Sequence, residues 1–208
     1  MYFSQNTSLP PRYNITTTFW KHHYEITGSH NLYVENSQMT PGKPDLTFHT
    51  TNKEGPIIAL SKYKHFSSDI EIGLSEPSHN SSSNSMRWDT LHRDGWRSSK
   101  YKLTAEINGR LEKYTWRPTH KMSLMRGGSL ELVHDRTGAV AAVFASHCGL
   151  KGSDRVLTFD NNACYGERFQ LLVLMTCITL AEKTRRRNEA AAAGAASSAS
   201  AGASAAAA

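Results

Sequence analysis

The sequence predicts a mainly β protein: about twelve antiparallel strands close into a barrel around one hydrophobic C-terminal helix. Two observations carry this prediction. Residues 12–160 contain a series of short alternating or β-branched runs, each followed by turn residues, which is the pattern of an antiparallel fold. Residues 169–181 (FQLLVLMTCITLA) are apolar on every side. A helix without a polar face must be surrounded, and a closed sheet surrounds it completely.

The strand-like runs follow one another with turn signals between them. Tyr13, Ile15 and Thr17 alternate in the first run, and Gly, Pro or Asn residues bound many of the later ones. Residues 79–85 (HNSSSNS) have the composition of a flexible loop. The predicted strands are residues 13–19, 31–34, 46–50, 57–63, 69–74, 86–91, 101–107, 110–116, 121–126, 129–134, 140–147 and 155–160.

One hairpin can be predicted in register. Asn108-Gly109 is the strongest short-range hairpin signal in the chain, because a type I′ turn needs positive φ at both central residues. A two-residue loop places opposite residues on one face. The predicted core face holds Tyr101, Leu103, Ala105, Ile107, Tyr114 and Trp116, and the predicted solvent face holds Lys100, Lys102, Thr104, Lys113, Thr115 and Arg117. Glu112 falls on the core side, which indicates either a shifted register or an open rim.

The apolar helix is predicted over residues 166–187. Glu167 suits the positive end of the helix dipole, and the basic run 185–187 suits the negative end. The apolar run is shorter than the roughly 20 residues that cross a bilayer. We therefore predict a core helix and no transmembrane span. A membrane anchor is the alternative, because the basic run resembles a cytoplasmic flank.

The two termini are predicted to lie outside the folded domain, which spans residues 12–187. Residues 1–11 are polar, end in two prolines and form a disordered leader. They lack the basic and apolar regions of a signal peptide. Residues 188–208 are a low-complexity tail of mainly Ala, Ser and Gly, with no apolar face to bury, so we expect disorder or a spacer.

Composition and motifs narrow the function classes. Three cysteines in 208 residues form no disulfide framework, and we expect a cytoplasmic protein. The ten histidines fit no zinc spacing, and the nearest cluster, His147, Cys148 and Cys164, lacks a fourth ligand. No nucleophile elbow, P-loop, dinucleotide fingerprint or H-E-x-x-H motif occurs in the sequence. We expect neither metal nor cofactor, and no enzymatic activity.

The order of elements resembles a known group of proteins. Many short antiparallel strands followed by a hydrophobic C-terminal helix are the plan of the tubby C-terminal-like superfamily, which includes tubby domains, LURP-one-related proteins and phospholipid scramblases. The segments 101–118 (YKLTAEINGRLEKYTWRP), 129–144 (SLELVHDRTGAVAAVF) and 171–187 (LLVLMTCITLAEKTRRR) look like uncharacterised fungal members. The resemblance covers about residues 12–187 and implies the barrel fold. It carries over no binding or catalytic residue.

The predicted solvent face of the hairpin lies in the most basic part of the chain. Ten basic and four acidic residues occur between residues 87 and 126. Their excess of six positive charges equals the net charge of the whole chain, +6. Such a face attracts anionic lipid at about 1 kcal/mol per Lys or Arg. It also suits nucleic-acid phosphate, which we disfavour, or is an ordinary solvated strand face.

These observations predict a non-enzymatic peripheral module that binds anionic phospholipid head groups, such as phosphoinositides, at a membrane surface. The predicted binding residues are Lys100, Lys102, Lys113 and Arg117. The alternative is a protein-interaction or scaffold domain without lipid binding, which presents loops such as 79–85 to a partner. An enzyme with a pocket in the barrel is a further alternative, but the sequence names no catalytic residue for it.

Overall fold

The structure is a computed structural model. It describes residues 12–18, 22–38, 40, 42–64, 67–76, 86–95, 98–107, 109–119, 129–149, 152–160 and 165–205, with the backbone alone for 147–149, 152–154 and 195–205. The predictions for the leader 1–11, the loop 79–85 and the strand 121–126 fall outside these residues.

Twelve antiparallel strands of the described residues form one closed barrel. Each strand pairs with its neighbours along the chain, and the first strand pairs with the last. The strands are β1 (Arg12–Thr17), β2 (Tyr24–Thr27), β3 (Leu32–Asn36), β4 (Leu46–Thr50), β5 (Ile57–Tyr63), β6 (Ile70–Ser75), β7 (Met86–Arg93), β8 (Tyr101–Ile107), β9 (Arg110–Pro118), β10 (Leu130–His134), β11 (Val140–Gly149) and β12 (Gly152–Phe159), followed by the helix α1 (Glu167–Ala205). The predicted fold class is confirmed.

The predicted strands differ from the observed ones at one element. Strand β2 (YEIT) was missed, because four residues after His22-His23 give too short an alternation to stand out. Its burial alternates all the same, with Tyr24 and Ile26 buried and Glu25 and Thr27 exposed. The predicted strand 121–126 is outside the described residues, so the similar totals do not mean that every strand was found.

Helix α1 fills the lumen of the barrel. Every residue from 172 to 180 is buried, as expected for a helical segment with no polar face. The strands contribute inward side chains from all around, among them Tyr24, Phe48, Ile72 and Trp116. Trp116 Nε1 donates a hydrogen bond to Thr176 Oγ1 at 2.9 Å, so the indole N–H is paired inside the barrel. The prediction that the apolar segment is enclosed by sheet is confirmed.

The helix continues well beyond its predicted end. It was expected to end within the basic run at 185–187, but it extends to Ala205. The physical reason is composition: alanine has the highest intrinsic helix propensity and continues a helix that is already nucleated inside the barrel. Residues 187–194 are exposed, so this part of the helix leaves the barrel. Within the described residues, no helix combines the length and apolar character needed to cross a bilayer.

The barrel has two distinct ends. At the upper end, α1 begins near the β8–β9 turn and the starts of β5, β7, β9 and β11. At the lower end, α1 leaves the barrel beside the start of β2, the end of β3 and the end of β5, where its side chains contact Tyr24, Asn36 and Tyr63. The candidate sites below are located by these two ends.

Candidate functional site

The β8–β9 hairpin has the predicted register. Tyr101 lies opposite Trp116, Leu103 opposite Tyr114 and Ile107 opposite Arg110. Gly109 occupies the turn with φ of +74°, a conformation that costs glycine little. The predicted core face is directed into the barrel and is mostly buried, and the remaining side chains form the outer face.

Glu112 is on the inward side, as the register requires, and does not indicate a shift. It lies near the upper rim, where its side chain keeps 21% of its exposure. His134 Nε2 is 3.0 Å from one carboxylate oxygen, and Arg136 Nη2 donates to the other at 2.9 Å. The hydrogen bond with His134 is the main reason that the pKa of Glu112 is lowered. The open-rim interpretation of this residue is therefore correct.

The structure places the four predicted binding residues on or next to this hairpin. Lys102 and Lys113 are exposed on its outer face. Lys102 pairs with Thr115, two positions along from Lys113, so the two lysines are diagonal neighbours whose Cβ atoms lie about 7 Å apart or less. Arg117 is half-buried further along β9. Lys100 is exposed immediately before β8.

Acidic residues pair with two of these four cations. Lys102 Nζ lies 2.8 Å from an oxygen of Asp94, and Arg117 Nε donates to Glu131 at 2.7 Å. The hydrogen bond from Lys102 lowers the pKa of Asp94 and raises that of Lys102. A further acid, Asp135, accepts a hydrogen bond from Thr115 Oγ1 at 2.7 Å. The basic face is therefore less positive than the sequence predicted.

The two remaining cations have no such partner. Lys100 and Lys113 form no ion pair with a described residue. Both side chains are exposed and can reach an external anion without breaking an ion pair to a described residue. Glu131 and Asp135 were missed by the sequence analysis because they lie beyond the hairpin, on β10 and in the turn that follows it, and the β9–β10 pairing brings them alongside.

A second cluster of charges lies at the lower end, around Glu182 of α1. Its carboxylate is fully buried. It accepts hydrogen bonds from Tyr24 Oη at 2.5 Å, from Asn36 Nδ2 at 2.8 Å, and from Arg185 and Arg186 at 2.7 Å. Burial opposes ionisation, but the hydrogen bonds from Arg185, Tyr24 and Arg186 outweigh it and lower the pKa of Glu182 to about 2.

The same cluster ties the helix to the barrel wall. Arg186 Nη1 donates to Asp45 at 2.6 Å, and Arg186 Nη2 donates to Asn36 Oδ1 at 2.8 Å. The guanidinium carbon of Arg186 also lies 4.9 Å from the ring centroid of Tyr63. The charged groups of this cluster pair with one another, so we interpret it as a structural lock, a set of contacts that holds α1 to the barrel wall, and not as a binding site. The sequence signal was the acid at 182 followed by arginines at i+3 and i+4, but from the sequence the basic run was interpreted only as a partner of the helix dipole or as a membrane flank.

A third feature is a cleft in the barrel wall between β7 and β8, near the upper end. Among the described residues, these strands pair only at His92–Lys102 and Arg93–Tyr101. Above that point the wall opens, and a cavity of about 60 Å³ reaches the start of α1. Its lining comprises Leu74, Arg87, Asp89, Thr104, Ala105, Glu106, Leu111, Arg168, Phe169 and Leu172.

Metal ligation has no candidate in the described part of the chain. No group of three or more His, Cys, Asp or Glu side chains there is arranged to hold an ion. The His147, Cys148 and Cys164 cluster considered from the sequence lies outside the described side chains. Cys177 is buried within α1, and this burial raises its thiol pKa.

The chain matches no protein-family model, no curated protein and no solved structure. The function proposed below therefore depends on the residues and geometry of the chain itself.

Proposed function

We propose that this protein is a non-enzymatic peripheral module that binds anionic phospholipid head groups through the outer face of β8 and β9. The observation that carries the proposal is the pair of exposed lysines, Lys100 and Lys113, that have no ion-pair partner among the described residues. Lys102 lies between them on the same hairpin surface. The proposal includes membership of the tubby C-terminal-like superfamily and a cytoplasmic location at membrane surfaces.

The electrostatics of the hairpin favour capture without insertion. Each Lys or Arg near an anionic leaflet contributes about 1 kcal/mol, and the attraction falls off within a Debye length. Lys100 and Lys113 can contact an anionic head group without first leaving an ion-pair partner among the described residues. Lys102 and Arg117 contribute when an anion competes with Asp94 and Glu131, and the exposed Lys102 pair is the weaker of these restraints.

The test uses vesicles of phosphatidylcholine doped with a phosphoinositide, and sedimentation measures the retained protein. We expect the wild type to be retained at low salt and released at high salt. The double variant Lys100→Glu/Lys113→Glu removes about 2 kcal/mol of attraction, so its affinity should fall by at least about thirtyfold. Substitution of Glu for Lys102 and Arg117 as well, which reverses the charge at all four positions, should release the protein from the vesicles completely.

A matched control separates the local site from total charge. Lys43 and Lys53 are exposed in the β3–β4 and β4–β5 loops, away from the β8–β9 face. The variant Lys43→Glu/Lys53→Glu changes the net charge by the same amount and should keep its retention. Equal loss in both double variants, or no retention of the wild type, would contradict the proposal.

A protein-interaction domain without lipid binding is the second candidate. It is favoured by two large apolar side chains that remain exposed beside the β7–β8 cleft, Trp88 at 41% and Leu111 at 70%. This candidate predicts no retention on the doped vesicles, and that outcome would distinguish it from the lipid-binding module.

A further inference from the structure

We infer that the seam between β7 and β8 is a binding site for an extended peptide, which pairs with the free strand edges and places one side chain in the cleft. The seam comprises residues 86–91 of β7 and 103–107 of β8. This inference does not rest on the lipid proposal, because it depends on free strand edges and an inner cleft rather than on exposed lysines, and it concerns another class of ligand, so either can fail alone.

The strand pairing provides the first argument. On its other side, β7 pairs with β6 from Leu91 to Met86, and β8 pairs with β9 along its whole length. Across the seam, the pairing of the described residues ends at His92–Lys102. In an antiparallel sheet, alternate residues direct both N–H and C=O towards the same neighbour. Each strand therefore presents a row of backbone groups to the gap, which is a template for another strand.

The cleft provides the second argument. Its inner part is apolar and is formed by Leu74, Ala105, Phe169 and Leu172. The cavity of about 60 Å³ is well below the roughly 150 Å³ that accommodates benzene. It suits one aliphatic side chain of a bound strand and is too small for an acyl chain. Side-chain pockets beside a free edge are how β-augmentation sites obtain specificity.

The rim of the cleft favours a peptide over a polyanion. Arg87 Nη1 lies 3.9 Å from an oxygen of Glu106 and so bridges the seam with side chains where the backbone does not pair. Arg168 lies 3.3 Å from Glu76. All four side chains are 40–53% exposed, and ion pairs of this kind are weak. A peptide can displace them at little cost, whereas the acids repel phosphate-rich ligands.

Two exposed apolar side chains flank the seam. Trp88 on β7 is ordered by its surroundings: a Cβ on Gly73 would meet its ring at 3.2 Å, and Lys62 Nζ lies 4.6 Å from the ring centroid. Leu111 on β9 lines the cleft and is 70% exposed. An aromatic anchor beside a hydrogen-bonding strand edge is typical of a peptide-binding surface.

The free protein provides the first test. Amide hydrogen exchange should be fast for alternate residues of 86–91 and 103–107, whose N–H groups face the seam. Exchange should be slow for the remaining residues of both strands, which are paired to β6 and β9. Slow exchange of all these amides would mean that the seam is closed, and it would overturn the inference.

The second test is a titration with a short synthetic peptide of alternating threonine and valine with one central leucine. Backbone NMR shifts should change in β7 and β8 above His92–Lys102. An N-methylated peptide with the same side chains cannot donate to the strand edges, so it should bind roughly tenfold more weakly or worse. Absence of binding, equal binding of both peptides, or shifts confined to other strands would each refute the proposal.

A pair of surface variants locates the contact. Leu111→Ser removes an exposed flank of the cleft and should weaken peptide binding several-fold. Ile57→Ser removes an exposed aliphatic side chain on β5 that is 42% exposed and outside the cleft lining, and it should leave peptide binding unchanged. Thermal unfolding of both variants checks that the fold is retained. If the two variants weaken binding equally, the peptide is held by general hydrophobic contact and the seam assignment is wrong.

Discussion

The lower end of the barrel and the outer face of β8 and β9 both collect basic residues, but they use them in opposite ways. At the lower end, Arg185 and Arg186 converge on a carboxylate that has no exposure. On the outer face, Lys100 and Lys113 are exposed and have no ion-pair partner among the described residues. Arginine supplies several directed hydrogen bonds and suits the first task, whereas lysine is a mobile point charge and suits the second.

This difference separates charge that stabilises the fold from charge that is available to a partner. Basic residues that follow an apolar helical segment are often interpreted as a membrane flank, and the run at 185–187 invites that interpretation. In this barrel, two of its three arginines bind Glu182 within the same helix, and Arg186 also binds Asp45 of the wall. Counting charges along the sequence does not distinguish the two uses, and three predictions test the distinction directly.

The largest expected effect is at the lower end. Glu182→Gln removes the buried charge that pairs with both arginines and leaves them uncompensated, which we expect to lower the free energy of unfolding by about 3–5 kcal/mol. Urea denaturation measures it. Glu189→Gln is the control, because Glu189 pairs with Arg185 but is half exposed, so its loss should cost about 0.5 kcal/mol or less. Equal effects of the two variants would contradict a structural lock.

The second effect is the pH dependence that Glu182 confers. Its pKa is about 2 in the folded protein, below its ordinary value of 4.5. A lowered folded-state pKa contributes stability that is complete above the unfolded pKa and is lost as the pH falls through the folded one. The loss between about pH 4.5 and about pH 2 should approach about 3 kcal/mol. Denaturation at several pH values should show a shallower acid dependence in Glu182→Gln, and identical slopes would exclude this role.

The smallest expected effect concerns the outer face of β8 and β9 and its retention on vesicles. Asp94→Asn and Glu131→Gln release Lys102 and Arg117 from their partners. Each freed cation should strengthen retention on phosphoinositide vesicles by about 1 kcal/mol, or roughly fivefold. Glu25→Gln, which removes an exposed acid from β2, is the control for net charge and should have less effect. If all three variants behave alike, the retained protein responds to total charge and not to the β8–β9 face.

The parts of the fold that were predicted depend on local signals. The register of β8 and β9 follows from one Asn-Gly turn, since a hairpin pairs residues that are close in sequence. The enclosed helix follows from the absence of a polar face over residues 169–181. The end of α1 was misplaced because its alanine-rich continuation was judged by its lack of an apolar face, whereas helix propensity extends a helix already formed.

The parts that were missed depend on contacts between distant residues. Glu182 meets Tyr24 and Asn36, which precede it by 158 and 146 positions. Glu131 reaches Arg117 only because β10 pairs with β9. The seam could not be foreseen either, since alternation in β7 and β8 predicts strands but not where their pairing stops. Single-sequence patterns specify which face a side chain takes, and they leave its long-range partners open.

The pairing of β1 with β12 has a consequence for how the chain folds. The barrel cannot close until β12 is available to pair with β1, and the helix α1 that fills the lumen follows both strands in the sequence. Until then, an incomplete chain exposes the hydrophobic inner face of the sheet and two unpaired strand edges, and such a state is prone to aggregation. Contacts between the extremes of the sequence also slow folding. The order in which these elements emerge therefore favours aggregation of the incomplete chain during synthesis.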